Sequence, residues 1–464
     1  MGIIKDFIYP KLSVSMQNLA ISAFGYYWKK RRFGGVFSES LVGFKQREKF
    51  NLKQWESYQL IELRKLLTQA YKNVPFYTQK FNQMGVTLND LANFQLSDLN
   101  TLPFLEKSEL RMFGKSSLLS TKLEKGGEFY SSSGSTGTPT QILVSNRMHQ
   151  IWSAGFEARI RNWAGVSNSD ERGMIGGRRI LQEANSKPPY YRYNCAEKQT
   201  YFSAYHISKK TAENYLQGII ENNVKYMTGY ALSNYSLARF LEEKGLKAPQ
   251  LKAVITSSEK LTQEMRDTFQ RVYGCKSYDG YSGVEACGHI TECEHGSLHV
   301  SPDIGIIEIV KSDGSYALPG EEGEAVCTGF LNYDQPLIRY KIGDILKLSK
   351  NQNCACGREM TIIDEIIGRI EDVVIGIDGR EMVRFHGIFI DIPSIIEGQI
   401  IQHTLQNFEI QLVLSKPLSE DDKSKMANRM ISQLGNINLI FNTVDTIHRN
   451  QNGKIKAVIS HVIR

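Results

Sequence analysis

No apolar run in this 464-residue chain reaches the length that crosses a bilayer. No positively charged opening with an apolar stretch and a small-residue cleavage site marks a signal peptide. Cysteine is scarce and odd in number, seven in all, so a disulfide framework is not expected. A net charge of +7 is spread along the chain rather than gathered on one face, which argues against nucleic acid and suits anionic small molecules. Internal repeats and low-complexity tracts are absent. What remains is ordinary: 41% hydrophobic and 23% charged residues describe a soluble protein. The length exceeds one compact core, so two or more domains are expected, with a cytoplasmic location as the default.

The stretch Tyr130–Thr140 is the most informative. Its eleven residues carry seven hydroxyl side chains besides the tyrosine, and two glycines, Gly134 and Gly137, stand three apart. Glycines let the backbone approach a ligand, free N–H groups make an anion nest, and hydroxyls add donors. Such a loop can wrap a polyphosphate. It lacks the Gly-Lys-Ser/Thr of a Walker A loop. The plainer alternative is a flexible Ser/Gly surface loop.

Around it the pattern alternates. Leu60, Leu63, Leu67 and Tyr71 recur at helical spacing over Asn51–Lys72, and Pro75 stops that pattern. A helix is expected over Ile151–Ala164, and another from a Ser208 cap to about Asn222. Lys225–Tyr230 reads as a strand, Ser233–Lys244 as a helix, Leu251–Thr256 as a strand. Thr262–Tyr273 reads as a helix closed by Gly274, before a strand from Cys275. Alternation of this kind implies parallel strands with crossover helices, and ligands then sit beyond the strands' carboxyl ends. Both Ser258-Glu259 and Tyr281–Glu285 follow strands. From Gly305 the character turns to β, with strands expected over Ile306–Val310, Glu324–Phe330 and Arg339–Leu348. The fold class is therefore α/β: a large N-terminal domain, residues 1–368, with mixed and parallel sheets and a β-rich subdomain, then a small α+β C-terminal domain, 369–464. Within that domain a hairpin is expected around Asp378-Gly379, followed by a strand, a helix over Glu420–Leu434 and a strand.

Residues 1–50 form a helical segment in which Phe24-Gly25-Tyr26-Tyr27-Trp28 runs into Lys29-Lys30-Arg31-Arg32. Aromatics beside a basic cluster could rest on an anionic membrane face, making the protein peripheral at the inner membrane. The plainer reading is a helix packed on the large domain with its basic end solvated.

Four further motifs follow the hydroxyl-rich loop in order: Tyr278–Glu285, Arg339–Asp344, Gly368–Asp372 and Asn452-Gly453-Lys454. Their order resembles the adenylate-forming superfamily of acyl-CoA synthetases, peptide-synthetase adenylation domains and luciferases. Pro336–Tyr340 and Cys354-Ala355-Cys356-Gly357-Arg358 resemble its phenylacetate–CoA ligase branch, and within it CapK-like proteins of capsule biosynthesis. The likeness spans about Asn18 to Lys456. It implies that Ser133, Gly134, Ser135, Thr136, Gly137 and Thr138 hold the phosphates and that Glu285 ligates Mg2+, a hard cation suited to oxygen. It also implies that Tyr281 stacks on adenine beside Ser258 and Glu259, and that Asp344 and Arg369 take the ribose. Lys454 then joins the acyl carboxylate and the α-phosphate, and Glu371 is the hinge about which the small domain turns. Two positions depart from the superfamily: Val284 replaces a hydroxyl residue, and Thr140 stands where many loops carry lysine.

Cys293, His299, Cys354 and Cys356 suit a tetrahedral structural Zn2+. Their pairing rests on the resemblance, and Cys287, His289 or His295 could substitute as a ligand. The expected activity is ATP-dependent activation of a carboxylic acid to an acyl-adenylate, with CoA as the implied acceptor and surface polysaccharide biosynthesis as the implied setting. An amine acceptor, making an amide ligase for a sugar acid or amino acid, is the alternative. A non-catalytic nucleotide-binding role in a polysaccharide assembly complex is another, kept alive by Val284.

Overall fold

Asn51 opens a long helix, Leu52–Asn73, through a reciprocal capping box with Gln54. The helix buries Leu63 and Leu67 of the expected stripe completely, together with Leu66 and Ala70, while Leu60 and Tyr71 are half-buried. Pro75 does more than stop it: proline lacks an N–H that the first helical position does not need, and a second helix, Pro75–Gln83, begins there. The computed structural model describes residues 9–131, 140–178, 180–181, 186–259, 261–367, 374–377, 381–382, 388–389, 392, 394–414, 416–448 and 458–462.

Two short strands, β1 (Glu128–Ser131) and β2 (Gln141–Val144), pair antiparallel on either side of the hydroxyl-rich loop. A twelve-stranded sheet follows. Its strands are β3 (Arg172–Gly176), β4 (Tyr191–Asn194), β5 (Gln199–Ser203), β6 (Tyr226–Tyr230), β7 (Ala253–Ser257) and β8 (Ser277–Ser282). It continues through β9 (His289–Glu292), β10 (Leu298–Val300), β11 (Gly305–Val310), β12 (Glu322–Gly329), β13 (Tyr340–Leu348) and β14 (Ile362–Ile366). The spatial order is β11-β12-β13-β14-β10-β9-β8-β7-β6-β3-β5-β4. Strands β8, β7, β6, β3 and β5 run parallel, and β9 to β14 form the antiparallel half. The expected parallel sheet and β-rich part are thus halves of one mixed sheet.

Helices cross between the parallel strands. Gln263–Tyr273 is capped by Thr262 and closed by Gly274 in the left-handed conformation at φ 64°, as its end signals indicate. Ala231–Glu243 begins two residues before the expected start and stops before Gly245. The helix expected from Ser208 begins at Ala212 instead. Ser208 and Thr211 bond each other's hydroxyls, and Ser/Thr turns of this kind compete with helix at such positions. The helix expected at Ile151 starts earlier, at Asn146 behind a Ser145 cap, and passes into a π-turn over Glu157–Arg161.

In the C-terminal region β15 (Val374–Ile375) pairs antiparallel with β16 (Glu381–Met382), as the hairpin expectation requires. Beyond it lie β17 (Ile395–Gln402), β18 (Asn407–Leu414), the helix Glu420–Leu434, β19 (Asn438–Thr443) and β20 (Val458–Ser460). These four strands form a separate sheet ordered β19-β18-β17-β20. Phe408, Ile410 and Leu412 of β18 pack against Met426 and Met430 of the helix in a core of their own. The boundary expected at Gly368–Arg369 lies outside the described residues.

Candidate active site

Strands β7 and β8 are adjacent and parallel, with Ser257 paired to Gly280. Ser258 and Tyr281 therefore emerge side by side at the carboxyl edge, where an open α/β sheet binds ligands. Ser258 holds a left-handed backbone, φ 75°, uncommon for a residue with a side chain and concentrated at functional turns. The next residue, Glu259, turns its Oε2 to accept a 2.9 Å bond from the Leu232 N–H. That is the first turn of the helix Ala231–Glu243, where a carboxylate complements the helix dipole. Its backbone remains beside the site while its carboxylate anchors the loop.

Asp344 reaches the same place from the other half of the sheet. The register of β12 and β13 shifts between Glu324 and Val326, and Gly343 stands at φ 84°. This is a bulge, which bends a strand and re-aims a side chain. The result is a 2.7 Å bond from the Tyr281 hydroxyl to Asp344 Oδ2. Burial, and then the Asp344 carboxylate, hold the Tyr281 phenol well above its ordinary pKa. It therefore stays protonated and donating.

Glu285 follows four residues after Tyr281 and is buried. Its Oε1 lies 3.5 Å from Thr140 Oγ1. Thr140 is the first described residue after the hydroxyl-rich loop, so one end of that loop meets the candidate Mg2+ carboxylate. The threonine that departs from the superfamily's lysine thus sits against Glu285. The carboxylate also needs Gly283, since a Cβ there would stand 2.4 Å from Glu285 Oε2. Gly283→Ala should leave folding intact, because only the end of a flexible side chain must move. It should reduce Mg2+-dependent pyrophosphate release by roughly 10- to 100-fold, the scale of an ångström's misplacement in a reacting assembly. Kinetics at several Mg2+ concentrations, beside a melting curve, would check both parts. Val284, the other departure, packs against the main core.

Asp279, two residues before Tyr281, contributes a different sensitivity. Burial first, then the Glu292 carboxylate, push its carboxyl from the ordinary 3.8 up to about 7. A raised carboxyl favours the folded state only while protonated. That contribution is complete below 3.8 and is lost as the pH rises through about 7. Asp279→Asn should therefore raise the melting temperature, and more at pH 8 than at pH 5. A pH-independent gain would point to packing instead.

Ser133, Gly134, Ser135, Thr136, Gly137, Thr138, Arg369, Glu371 and Lys454 lie outside the described residues. Among those described, the fold brings Tyr281 to Asp344, Ser258 beside Tyr281, and Glu285 to the end of the phosphate-loop candidate.

A second cluster lies on the antiparallel half. Cys293 is in the β9–β10 turn, His299 is on β10, and Cys354 and Cys356 precede β14. Pairing of His299 with Ile362 draws the two segments together. The four ligand atoms all fall within 4.8 Å of one another. Cys293 and Cys354 Sγ atoms are 3.6 Å apart, and Cys356 Sγ is 3.4 Å from His299 Nε2. A tetrahedron with ordinary zinc–sulfur and zinc–nitrogen bonds has edges of about 3.8 and 3.5 Å, so the donor set fits Zn2+. The surroundings fit as well. His299 Nδ1 lies 3.4 Å from the Met360 carbonyl, leaving Nε2 to face the cluster. The backbone N–H groups of His295 and Cys356 donate to the sulfurs of Cys293 and Cys354. The substitutes considered from sequence are elsewhere engaged: Cys287 lies in the main core, and His289 Nδ1 faces Ser301 Oγ at 3.4 Å. His295 offers the cluster its backbone.

Most of the chain is similar to known proteins. Residues 379–461 match the CapK C-terminal domain family. Protein CapK of Staphylococcus aureus is 24% identical, the match covering 98% of this chain and 99% of that protein. Phenylacetate-coenzyme A ligase of Thermus thermophilus is 26% identical over 80% of this chain and 83% of its own length. Among solved structures, 2-hydroxyisobutyryl-CoA ligase in complex with 2-HIB-AMP and CoA superposes with a TM-score of 0.57 at 18% identity, covering 89% of this chain and 91% of that one.

Proposed function

Taking the chain as an adenylate-forming ligase related to CapK and the phenylacetate–CoA ligases, we propose that it activates a carboxylic acid with ATP and passes the acyl group to CoA. Surface polysaccharide biosynthesis is the proposed setting. The observation that carries this reading is the convergence of Tyr281, the bulge-aimed Asp344, and the Glu285–Thr140 contact at the parallel strands' carboxyl edge.

In the first step a carboxylate oxygen of the acid attacks the α-phosphorus, and pyrophosphate leaves. Asp344 accepts the ribose hydroxyls, and Tyr281 supplies its ring to the adenine. The hydroxyls and N–H groups of 133–138 bind the phosphates. Glu285 and the phosphate oxygens are the hard ligands that would hold Mg2+, which when bound offsets the triphosphate charge. Lys454 stabilises charge developing between the carboxylate and the α-phosphate. In the second step the CoA sulfur attacks the acyl carbon, AMP leaves, and the thiol proton passes to solvent. Glu371 is the proposed hinge between the two poses. Zn2+ at Cys293, His299, Cys354 and Cys356 is proposed as structural only.

The acid is proposed to be polar, because the region 178–206 is rich in Arg, Tyr and Asn. Arg178, two residues beyond the end of β3, lies 4.7 Å over the Tyr201 ring. Pyrophosphate release over a panel of acids with Mg·ATP tests the first step. Adding CoA or amines to the productive acid tests the second. An acid-dependent signal, with CoA consumed, is expected. Silence across the panel, together with unchanged melting in millimolar Mg·ATP and AMP, would overturn the reading; consumption of an amine instead of CoA would make the enzyme an amide ligase.

A further inference from the structure

The helix Val14–Phe33 is built inside out. Its buried residues are Gln17, Ser22, Gly25 and Arg31, none of them a hydrocarbon side chain. Each is used. Gln17 bonds the Tyr9 and Leu12 carbonyls and accepts from Arg192. Ser22 Oγ accepts from the Cys195 N–H at 3.1 Å. Gly25 gives Asn194 room, since a Cβ would meet its side chain at 2.3 Å. Arg31 donates to the Gly126 and Val144 carbonyls at 2.8 Å each. The expected packing on the large domain is therefore real, but the basic run divides: Arg31 is buried, Arg32 pairs with Glu197, and Lys29 and Lys30 alone stay exposed.

The outward face is the apolar one. Met16, Leu19, Ala23, Tyr26 and Lys30 follow at steps of three and four, as do Ala23, Tyr27 and Lys30, and so share one side. Leu19 is 71% exposed, Tyr26 69%, Met16 54% and Tyr27 51%. No charged residue stands between Lys11 and Lys29. A surface helix ordinarily carries the opposite pattern, and contiguous exposed apolar surface marks an interaction site. Among the helix's own residues the exposed charges are Lys29 and Lys30, at its C-terminal end, while a neighbouring carboxylate, Glu128, is engaged by the Tyr27 hydroxyl at 2.9 Å and by Arg31 at 3.5 Å.

We infer that this face rests in the plane of an anionic lipid surface, its aliphatic residues among the acyl chains, its tyrosines at headgroup depth and its lysines on the phosphates. Three observations select a lipid over a second copy of the chain. The helix's own exposed charge is of one sign, which two copies would set against itself and an anionic leaflet would neutralise. Tyrosines sitting at the end of an aliphatic stripe match the layering of a membrane interface. The area is small: a helix of 20 residues spans ~30 Å, so a face ~10 Å wide offers roughly 300 Å², against about 800 Å² per partner in a stable protein interface. A bilayer needs no such minimum, and binding is reversible. No described helix is long and apolar enough to cross a membrane, which leaves the in-plane arrangement.

Co-sedimentation of the full chain with vesicles of phosphatidylcholine alone, or with a third of phosphatidylglycerol, tests this. Binding to the anionic vesicles is expected at 50 mM salt, falling steeply by 500 mM. Lys29→Gln with Lys30→Gln should weaken it roughly 30-fold. Leu19→Ser with Tyr26→Ser should abolish it, with both double variants melting near the parental temperature because the changed side chains are exposed. Failure to bind anionic vesicles at low salt would overturn the inference, as would equal binding by the Leu19/Tyr26 variant. A concentration-dependent dimer in analytical ultracentrifugation that the same variant abolishes would assign the face to a second copy instead. None of these results depends on the acid or the acceptor of the proposed reaction.

Discussion

Lys454→Ala should lower adenylate formation by roughly 100- to 1000-fold, the usual cost of deleting one group that stabilises transition-state charge. Lys454 falls within the segment matched by the CapK C-terminal domain, residues 379–461. Its proposed role begins only when the carboxylate attacks the α-phosphorus, so the ground-state complex should survive its loss. The melting shift produced by Mg·ATP should remain, because that shift reports binding to the folded state alone. Loss confined to kcat marks an interaction made in the transition state. Lys454→Arg should rescue little: a planar guanidinium does not replace a compact ammonium on a flexible stem. Acyl transfer from a supplied acyl-adenylate should proceed in the alanine variant, since attack on the acyl carbon does not need the lysine. Pyrophosphate release, thermal shift and thioester formation from the preformed adenylate separate these outcomes. A parallel loss of ATP binding and chemistry would make Lys454 a ground-state ligand, and full activity would remove it from the mechanism.

How far the sequence could be read depended on the range of each signal. The helix Gln263–Tyr273 was legible because its cap and its terminating glycine are local, Thr262 bonding the Met265 N–H and Gly274 adopting φ 64°. Strands β3 and β5 escaped notice because the parallel part of the sheet is not written in apolar residues alone. Arg172 and Gln199 lie buried in it, bonded to each other at 2.6 Å. Asp344 showed the same limit at the site. Read locally, Gly343-Asp344 is a turn; its direction toward Tyr281 comes from a register shift against β12, a strand some 20 residues upstream. The inside-out helix illustrates it again. Phe24–Trp28 beside four basic residues is a statement of composition; only the fold shows that Arg31 turns inward while Leu19 and Tyr26 turn outward.

The four-residue Cys/His cluster carries the second large effect. Its ligands come from two segments that meet because β10 pairs with β14, and they sit in a small satellite core with Trp55, Trp163 and Met360. Arg358 extends that core, placing its guanidinium 4.2 Å over the Trp163 ring and bonding Glu294 and Glu48. A metal there would tie the loop before β14 to the sheet and to the helix Leu52–Asn73, which supplies Trp55. Structural zinc sites contribute on the order of 10 kcal/mol to the folding of zinc-finger peptides. Even ~4 kcal/mol of that, at roughly 2 °C per kcal/mol, lowers the melting temperature by about 8 °C. Cys354→Ser with Cys356→Ser should therefore lose the metal and that stability together, and chelation should do the same to the parent protein. Hydrogen exchange should rise first in 293–299 and 354–361. Activity should fall only as far as the fold loosens, since no cluster residue is among those proposed to touch nucleotide. Elemental analysis of protein purified without chelator should give close to one zinc per chain; less than about a tenth of an equivalent, with an unchanged melting curve in the serine variant, would make these four side chains reduced thiols and an imidazole packed together without a metal.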